Sequence, residues 1–152
     1  MKSIDKFLST EASTLFELVL EVHRTQAEMM RMTETVARSL GTTASRSLTV
    51  SMIFGRGEPI TVSEIARVMG VSRQNTQRTT DALAENGLVE YLPNPHHRRA
   101  KLVSVTDQGR ALVEQLTRTG ATWFNETAVK LDQSENVAAL ETLQHLRAQI
   151  SE

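Results

Sequence analysis

The chain has no cysteine, only 4% aromatic residues, and no apolar run approaching the length needed to cross a bilayer. The missing cysteine excludes disulfides and a thiol redox switch within the chain, and it fits a reducing compartment. With so few rings the core is expected to be mainly aliphatic and rich in methionine. The opening segment MKSIDKFLSTEAS lacks the apolar centre of a secretion signal, so a cytoplasmic protein without a membrane part is expected. Signs of catalysis are also missing: no glycine loop to cradle phosphate, no nucleophile beside a paired base, no close carboxylate pair in an apolar setting. The expectation is a protein that is not an enzyme and takes no cofactor. No metal site is expected, because His96 and His97 are neighbours on a loop whose side chains diverge, while His23 and His145 lie on distant helices.

A net charge of -1 argues against a nucleic-acid partner only when it is averaged over the chain. Lys and Arg outnumber Asp and Glu by seven to five in residues 56–101, match them six to six in 1–55, and trail four to seven in 102–152. The positive excess is local, and it falls on the most structured stretch of the sequence, residues 61–105. Thr61 with Glu64 three positions later reads as a capping box that opens a helix. Ile65, Ala66 and Met69 supply its inward face, and Gly70 closes it in a left-handed conformation that a side chain would disfavour. Ser72 then caps a second helix from Arg73 to Glu85, across a turn of about three to four residues. The start of this helix exposes Arg73, Gln74, Asn75, Gln77 and Arg78 with no acid among them. Arginine forks match guanine and Asn or Gln amides match adenine at the edges of the major groove. On an isolated helix the same face would read as ordinary solvated surface.

Asn86 and Gly87 end the second helix, and the β-branched runs Leu88–Leu92 and Lys101–Val105 are expected to pair as a hairpin. Between them Pro93 and Pro95 stop the ladder, and His97, Arg98, Arg99 and Lys101 sit on a projection with no carboxylate from Tyr91 to Thr106. Such a wing suits phosphates or a minor groove. The fold class expected is mainly α with a small β-hairpin: a winged helix-turn-helix with long N- and C-terminal dimerisation helices. Residues 1–40 form the first dimerisation helix, 41–105 the DNA-binding module and 106–152 the C-terminal helices, all in one structural unit. Leu15, Leu18, Val19, Val22, Met29, Val36 and Leu40 recur at mostly helical spacing from about Ser13. A short helix over 42–55 ends at Gly55, Gly57 and Pro59. Thr106 caps a helix reaching about Leu131, and Val137, Leu140, Leu143, Leu146 and Ile150 form the stripe of a last one. Helices too long for the winged core to cover are satisfied by a second copy of the chain, the alternative being that they fold back on their own core.

The strings SEIARVMGVSRQNTQRTTDALAENGLVE and NPHHRRAKLVSVTDQG, with long flanking helices, resemble the MarR family of transcriptional regulators over nearly the whole chain. The resemblance implies a dimeric DNA-binding regulator, often a repressor, whose hold on a palindromic operator is altered by a small aromatic or lipophilic effector. It places Ser72, Arg73, Gln74, Gln77 and Arg78 on the DNA-facing start of the recognition helix and Arg99 at the wing arginine. Met29, Met30 and Met52 are the candidate effector residues, against the plainer reading that they are core. Two departures stand out. Thr76, Thr79 and Thr80 replace the family's branched aliphatics, and any of them is free to face DNA; His96 and His97 replace an aspartate that braces the wing arginine, which makes wing order sensitive to pH. The alternatives to a ligand-responsive regulator are a constitutive DNA binder and a winged-helix module that binds an acidic protein.

Overall fold

The computed structural model describes residues 5–97 and 99–150, which form two compact units dividing after Val113. The first opens with a 3-10 turn, Asp5–Phe7, and a long helix α1, Thr10–Ser39. Ser9 caps α1 by accepting the Ala12 amide at 3.2 Å. The helix therefore starts three residues before Ser13, because the capping hydroxyl lies upstream of the first apolar residue of the stripe. Helix α2, Ala44–Arg56, follows, capped by Thr43 and closed at Gly57. Gly55, expected as a terminator, is inside α2. The two helices are tied at their junction by Glu34, whose Oε2 accepts the Ala44 amide at 2.7 Å at the positive end of α2.

A two-residue strand β1, Ile60–Thr61, leads directly into α3, Val62–Met69. The capping box is formed as the spacing predicts: Thr61 Oγ1 accepts the Glu64 amide at 3.3 Å and Glu64 Oε2 accepts the Thr61 amide at 3.0 Å. Gly70 closes α3 at φ 65°, and Ser72 opens α4, Arg73–Glu85, by accepting the Asn75 amide at 3.2 Å. Strands β2, Val89–Leu92, and β3, Leu102–Val105, form the antiparallel hairpin, with Val89 opposite Val105 and Leu92 opposite Leu102. On the other edge of β3, Ile60 pairs with Val103, so the sheet is three-stranded in the order β1-β3-β2. The hairpin expected from the sequence thus gains a third strand, which buries Ile60.

The core gathers Val50 and Ile53 of α2, Ile60, Val62, Ile65, Leu83, Leu88, Val89, Val103, Val105 and Val113. It is aliphatic as expected, but methionine stays at its margin, with Met52 and Met69 only partly buried. Thr76 and Thr80 are buried in α4, so neither faces outward. Their hydroxyls donate to the carbonyls of Ser72 at 3.1 Å and Thr76 at 3.0 Å, which removes the cost of an unpaired buried donor. Half-buried Thr79 does the same to Asn75 at 3.1 Å.

Helix α5, Asp107–Ala128, starts against the hairpin. Thr106 Oγ1 donates to the Gly87 carbonyl at 2.6 Å and accepts the Gly109 amide at 3.1 Å. Gly109 is buried, and a Cβ there would lie 2.0 Å from the Leu88 carbonyl oxygen and 2.7 Å from Val105 Cγ1. The second unit holds the rest of α5 and α6, Gln133–Ile150, whose start is capped by Asp132 Oδ1 accepting the Ser134 amide at 2.8 Å and the Glu135 amide at 3.1 Å. Helix α5 stops short of Leu131 because the Lys130 and Leu131 amides turn back to Thr127 and Ala128. None of the described residues of α6 is buried.

Two stability outcomes follow. Gly109→Ala should lower the denaturant midpoint by an amount equivalent to about 2–3 kcal/mol, since backbone must move, whereas Gly120→Ala in open space on the same helix should gain up to about 1 kcal/mol. The Glu64 carboxylate is held below the usual carboxylate range by the Thr61 hydroxyl and then the Thr61 amide. Its contribution is therefore complete above the unfolded carboxylate range and lost as pH falls through the lower, folded one. Thermal unfolding followed from neutral pH down to about pH 3 should show Glu64→Gln less stable than the parent near neutrality and the two converging in acid.

Candidate nucleic-acid interface

The start of α4 presents its polar residues as the sequence predicts, but not uniformly. Arg73, Gln74, Asn75 and Arg78 are exposed, and their side chains make no hydrogen bond or ion pair to another described residue. Ser72 is exposed too, though its hydroxyl oxygen is occupied as the cap of α4. Gln77 differs: half-buried, it turns its amide inward and donates through Nε2 to Asp81 Oδ1 and to the Tyr91 hydroxyl, each at 2.9 Å. The physical reason is proximity, since Asp81 is one turn further on the same helix face and Tyr91 reaches across from β2.

Tyr91 makes this a node. Its hydroxyl donates to Asp81 Oδ1 at 2.7 Å and lies 3.0 Å from Thr80 Oγ1. Burial raises the phenol above its ordinary pKa, and the nearby Asp81 carboxylate reinforces this, so the group stays a donor at neutral pH. Neither Tyr91 nor Asp81 was among the residues predicted from sequence. The spacing of Gln77 and Asp81 on one helix face was the available signal; the tyrosine joins them only through the register of the hairpin.

The wing contributes Arg99 and Lys101, both exposed, with Lys101 Nζ 5.8 Å from the Tyr91 ring centroid. Arg98 lies outside the described residues. Arg73, Gln77 and Asp81 of α4, Tyr91, Arg99 and Lys101 line one cavity of about 310 Å³ with the Thr61–Ser63 start of α3. The recognition helix and wing therefore converge, and among the described residues no carboxylate forms an ion pair with Arg73, Arg78, Arg99 or Lys101. His97 is exposed, and its ring Nδ1 accepts backbone amides within the wing loop.

Met29 and Met30 are exposed on α1, Met52 packs at the edge of the core, and none of the three lines the cavity under the wing. Among the described residues no group of three or more His, Asp or Glu is placed to hold a metal ion, and no helix is long and apolar enough to cross a membrane.

A helix-turn-helix followed by a cationic hairpin on a three-stranded sheet, between long helices, defines the winged helix-turn-helix class. The model of the MarR family matches residues 40–100. The chain is similar to an uncharacterized protein of Mycobacterium tuberculosis, 31% identical over 129 residues that cover 85% of this chain and 89% of that protein. It is also similar to the multiple antibiotic resistance protein MarR of Escherichia coli, 34% identical over 84 residues, or 55% of this chain and 58% of that one. A mutant of the E. coli MarR solved in complex with operator DNA matches with a TM-score of 0.72 at 26% identity, covering 93% of this chain and 99% of the other. The chain belongs to the MarR family, whose members are transcriptional regulators and not enzymes.

The node gives a sharp outcome. Tyr91→Phe deletes the hydroxyl that Gln77 and Asp81 share, and it should cost about 1–2 kcal/mol in chemical denaturation. Gln77→Ala, which leaves the Tyr91–Asp81 bond in place, should cost less than half as much.

Proposed function

We propose that the protein is a homodimeric repressor that reads a palindromic operator in double-stranded DNA and is released by a small aromatic or lipophilic effector. The observation that carries this reading is the convergence of Arg73 with Arg99 and Lys101 on one cavity, beside exposed Gln74, Asn75 and Arg78. In the major groove, Arg73, Gln74, Asn75 and Arg78 reach base edges or flanking phosphates, while Arg99 and Lys101 hold the wing against the backbone. Ser72 sits at the phosphate-facing cap, Gln77 has its carbonyl oxygen left to offer, and Arg98 and His97 add to the wing tip. The operator complex of the E. coli relative supports the docking mode. The place of action is then the cytoplasm.

Dimerisation rests on apolar surface that one copy leaves bare. Leu140 is 57% and Ile150 76% exposed on α6, Leu15 and Val22 are exposed on α1, and Trp123 and Phe124 form an edge-to-face pair, 4.9 Å between centroids, that is itself open to solvent. Helical rows of this kind, in 1–40 and 106–152, are the dimerisation segments, and 41–105 is the reading module. A two-fold axis then sets two modules about one DNA turn apart. For the effector, Met29, Met30 and Met52 offer an adaptable thioether surface. The cavity under the wing is a second seat, favoured for aromatic carboxylates by its cationic rim and by Tyr91.

Operator affinity, followed by fluorescence anisotropy, should fall steeply with salt. Arg99→Ala should weaken binding across all sequences and reduce the salt slope by about one, whereas Arg78→Ala or Gln74→Ala should also relax base preference, at about 1–3 kcal/mol. Equal, sequence-independent losses from every variant would overturn direct base reading. Leu140→Asp should shift the light-scattering mass toward a monomer. An effector must bind the DNA-free form more tightly, so titration with aromatic carboxylates should release operator and raise the melting temperature together.

A further inference from the structure

The loop between β2 and β3 is closed by an imidazole. Asn94 starts the turn, with its Oδ1 accepting the His96 amide at 3.0 Å and its carbonyl accepting the His97 amide at 3.3 Å. His97 finishes it: Nδ1 accepts the amides of Arg99 at 3.2 Å and of Ala100 at 3.0 Å. A ring nitrogen that carries a proton cannot accept, so this arrangement requires a bare Nδ1 with the ring proton on Nε2. Backbone amides have no other protonation state near neutrality, so nothing in the loop can reverse the bond polarity to follow the ring. The two donors belong to Arg99 and to the residue after it, so the ring fixes the stretch of chain from which the wing arginine projects.

We propose that His97 is a positioning residue of the wing: with Nδ1 unprotonated it holds the Arg99 backbone in its DNA-meeting position, and protonation frees the loop and weakens operator binding. This rests on the DNA-binding reading above.

The groups around the loop set the sense of the effect. On the wing itself stand His96, Arg99 and Lys101; on β2, Glu90 and the phenol of Tyr91; on α4, Arg73 and Asp81; and at the start of α3, Glu64. Asp81 is engaged by Tyr91 and Gln77, and Glu64 by Thr61. Neither carboxylate forms an ion pair with the wing among the described residues. Among the described residues no carboxylate, Glu90 included, forms an ion pair with the wing, so an imidazolium has no paired anion to offset the two amide bonds it loses. Its one compensation is added positive charge facing phosphate, which is exposed and therefore screened by salt. The two contributions have opposite signs, so the direction of the pH response decides between them.

The experiment uses the full chain and a duplex selected by the parent protein at pH 8, with anisotropy titrations at constant ionic strength from about pH 8 to 5.5, the range over which histidine changes charge. The parent should lose about tenfold in affinity, the equivalent of one to two amide bonds. His97→Asn, whose side-chain carbonyl accepts amides and does not titrate, should remove the parent's pH slope whatever its affinity at pH 8. His97→Ala should be weak and flat, and His96→Ala should follow the parent. Without DNA, ¹⁵N spectra should place the ring proton on Nε2 at pH 8, and Arg99 and Ala100 amides should lose exchange protection on acidification. Tighter binding in acid, or a pH slope in His97→Asn equal to the parent's, overturns the proposal. Unprotected amides at pH 8 in a protein that still binds duplex overturn the brace alone. Protected amides in a protein that binds no duplex at pH 8 refute the DNA-binding reading instead.

Discussion

The hydrogen-bond node on the Tyr91 hydroxyl is the constraint on which the reading surface depends. It is where α4 and the β2–β3 hairpin, which touch elsewhere mainly through aliphatic side chains, are held in a directional way. Apolar packing of Leu83, Val89 and Val105 supplies most of the stabilisation but tolerates small sliding. A phenol shared between Asp81 and Gln77 does not tolerate it, because a shift of an ångström breaks bonds in a partly buried setting. Placement of Arg73 relative to Arg99 and Lys101 therefore follows from a hydrogen-bonded cluster beneath them, built on the Asp81 carboxylate.

The same cluster explains how a chain with net charge -1 presents a cationic face. Asp81, the acid that lines the cavity, is turned toward Tyr91 and Gln77 and does not pair with a neighbouring arginine. Many of the remaining acids sit on exposed helix faces, where Glu21, Glu28 and Glu34 pair with Arg24, Arg31 and Arg38 on α1. Exposed pairs of that kind contribute little to stability. Their effect is to neutralise the arginines of α1, while Arg73, Arg78, Arg99 and Lys101, which form no ion pair among the described residues, stand where α4 meets the wing, a distribution that draws in a polyanion.

Much of this was legible in the amino-acid order, because local chemistry specifies it. The capping box at Thr61 and Glu64, the closure at Gly70 and the cap at Ser72 each involve residues within four positions, and all three form as the spacing predicts. The hairpin was legible from its β-branched runs. Strand β1 was not, because two residues show no periodicity, and Ile60 becomes a strand only by pairing with Val103. Gln77 looked like its neighbours in sequence and turned inward because of a tyrosine 14 residues away. The three threonines of α4 left their direction open, and packing decided it. At the wing the two histidines read as a missing acidic brace; only the loop backbone shows one of them accepting amides itself.

The hydroxyls of Thr76 and Thr79 are satisfied by carbonyls of their own helix, one turn back. Such groups carry their partners with them. If α4 were to lift or rotate slightly against the body, neither threonine would strand a donor in an apolar gap. Resistance to that displacement comes from methyl contacts and from the directional bonds of the tyrosine latch. The angle at which α4 presents its exposed face is therefore fixed at one hydroxyl and not along the whole buried side of the helix.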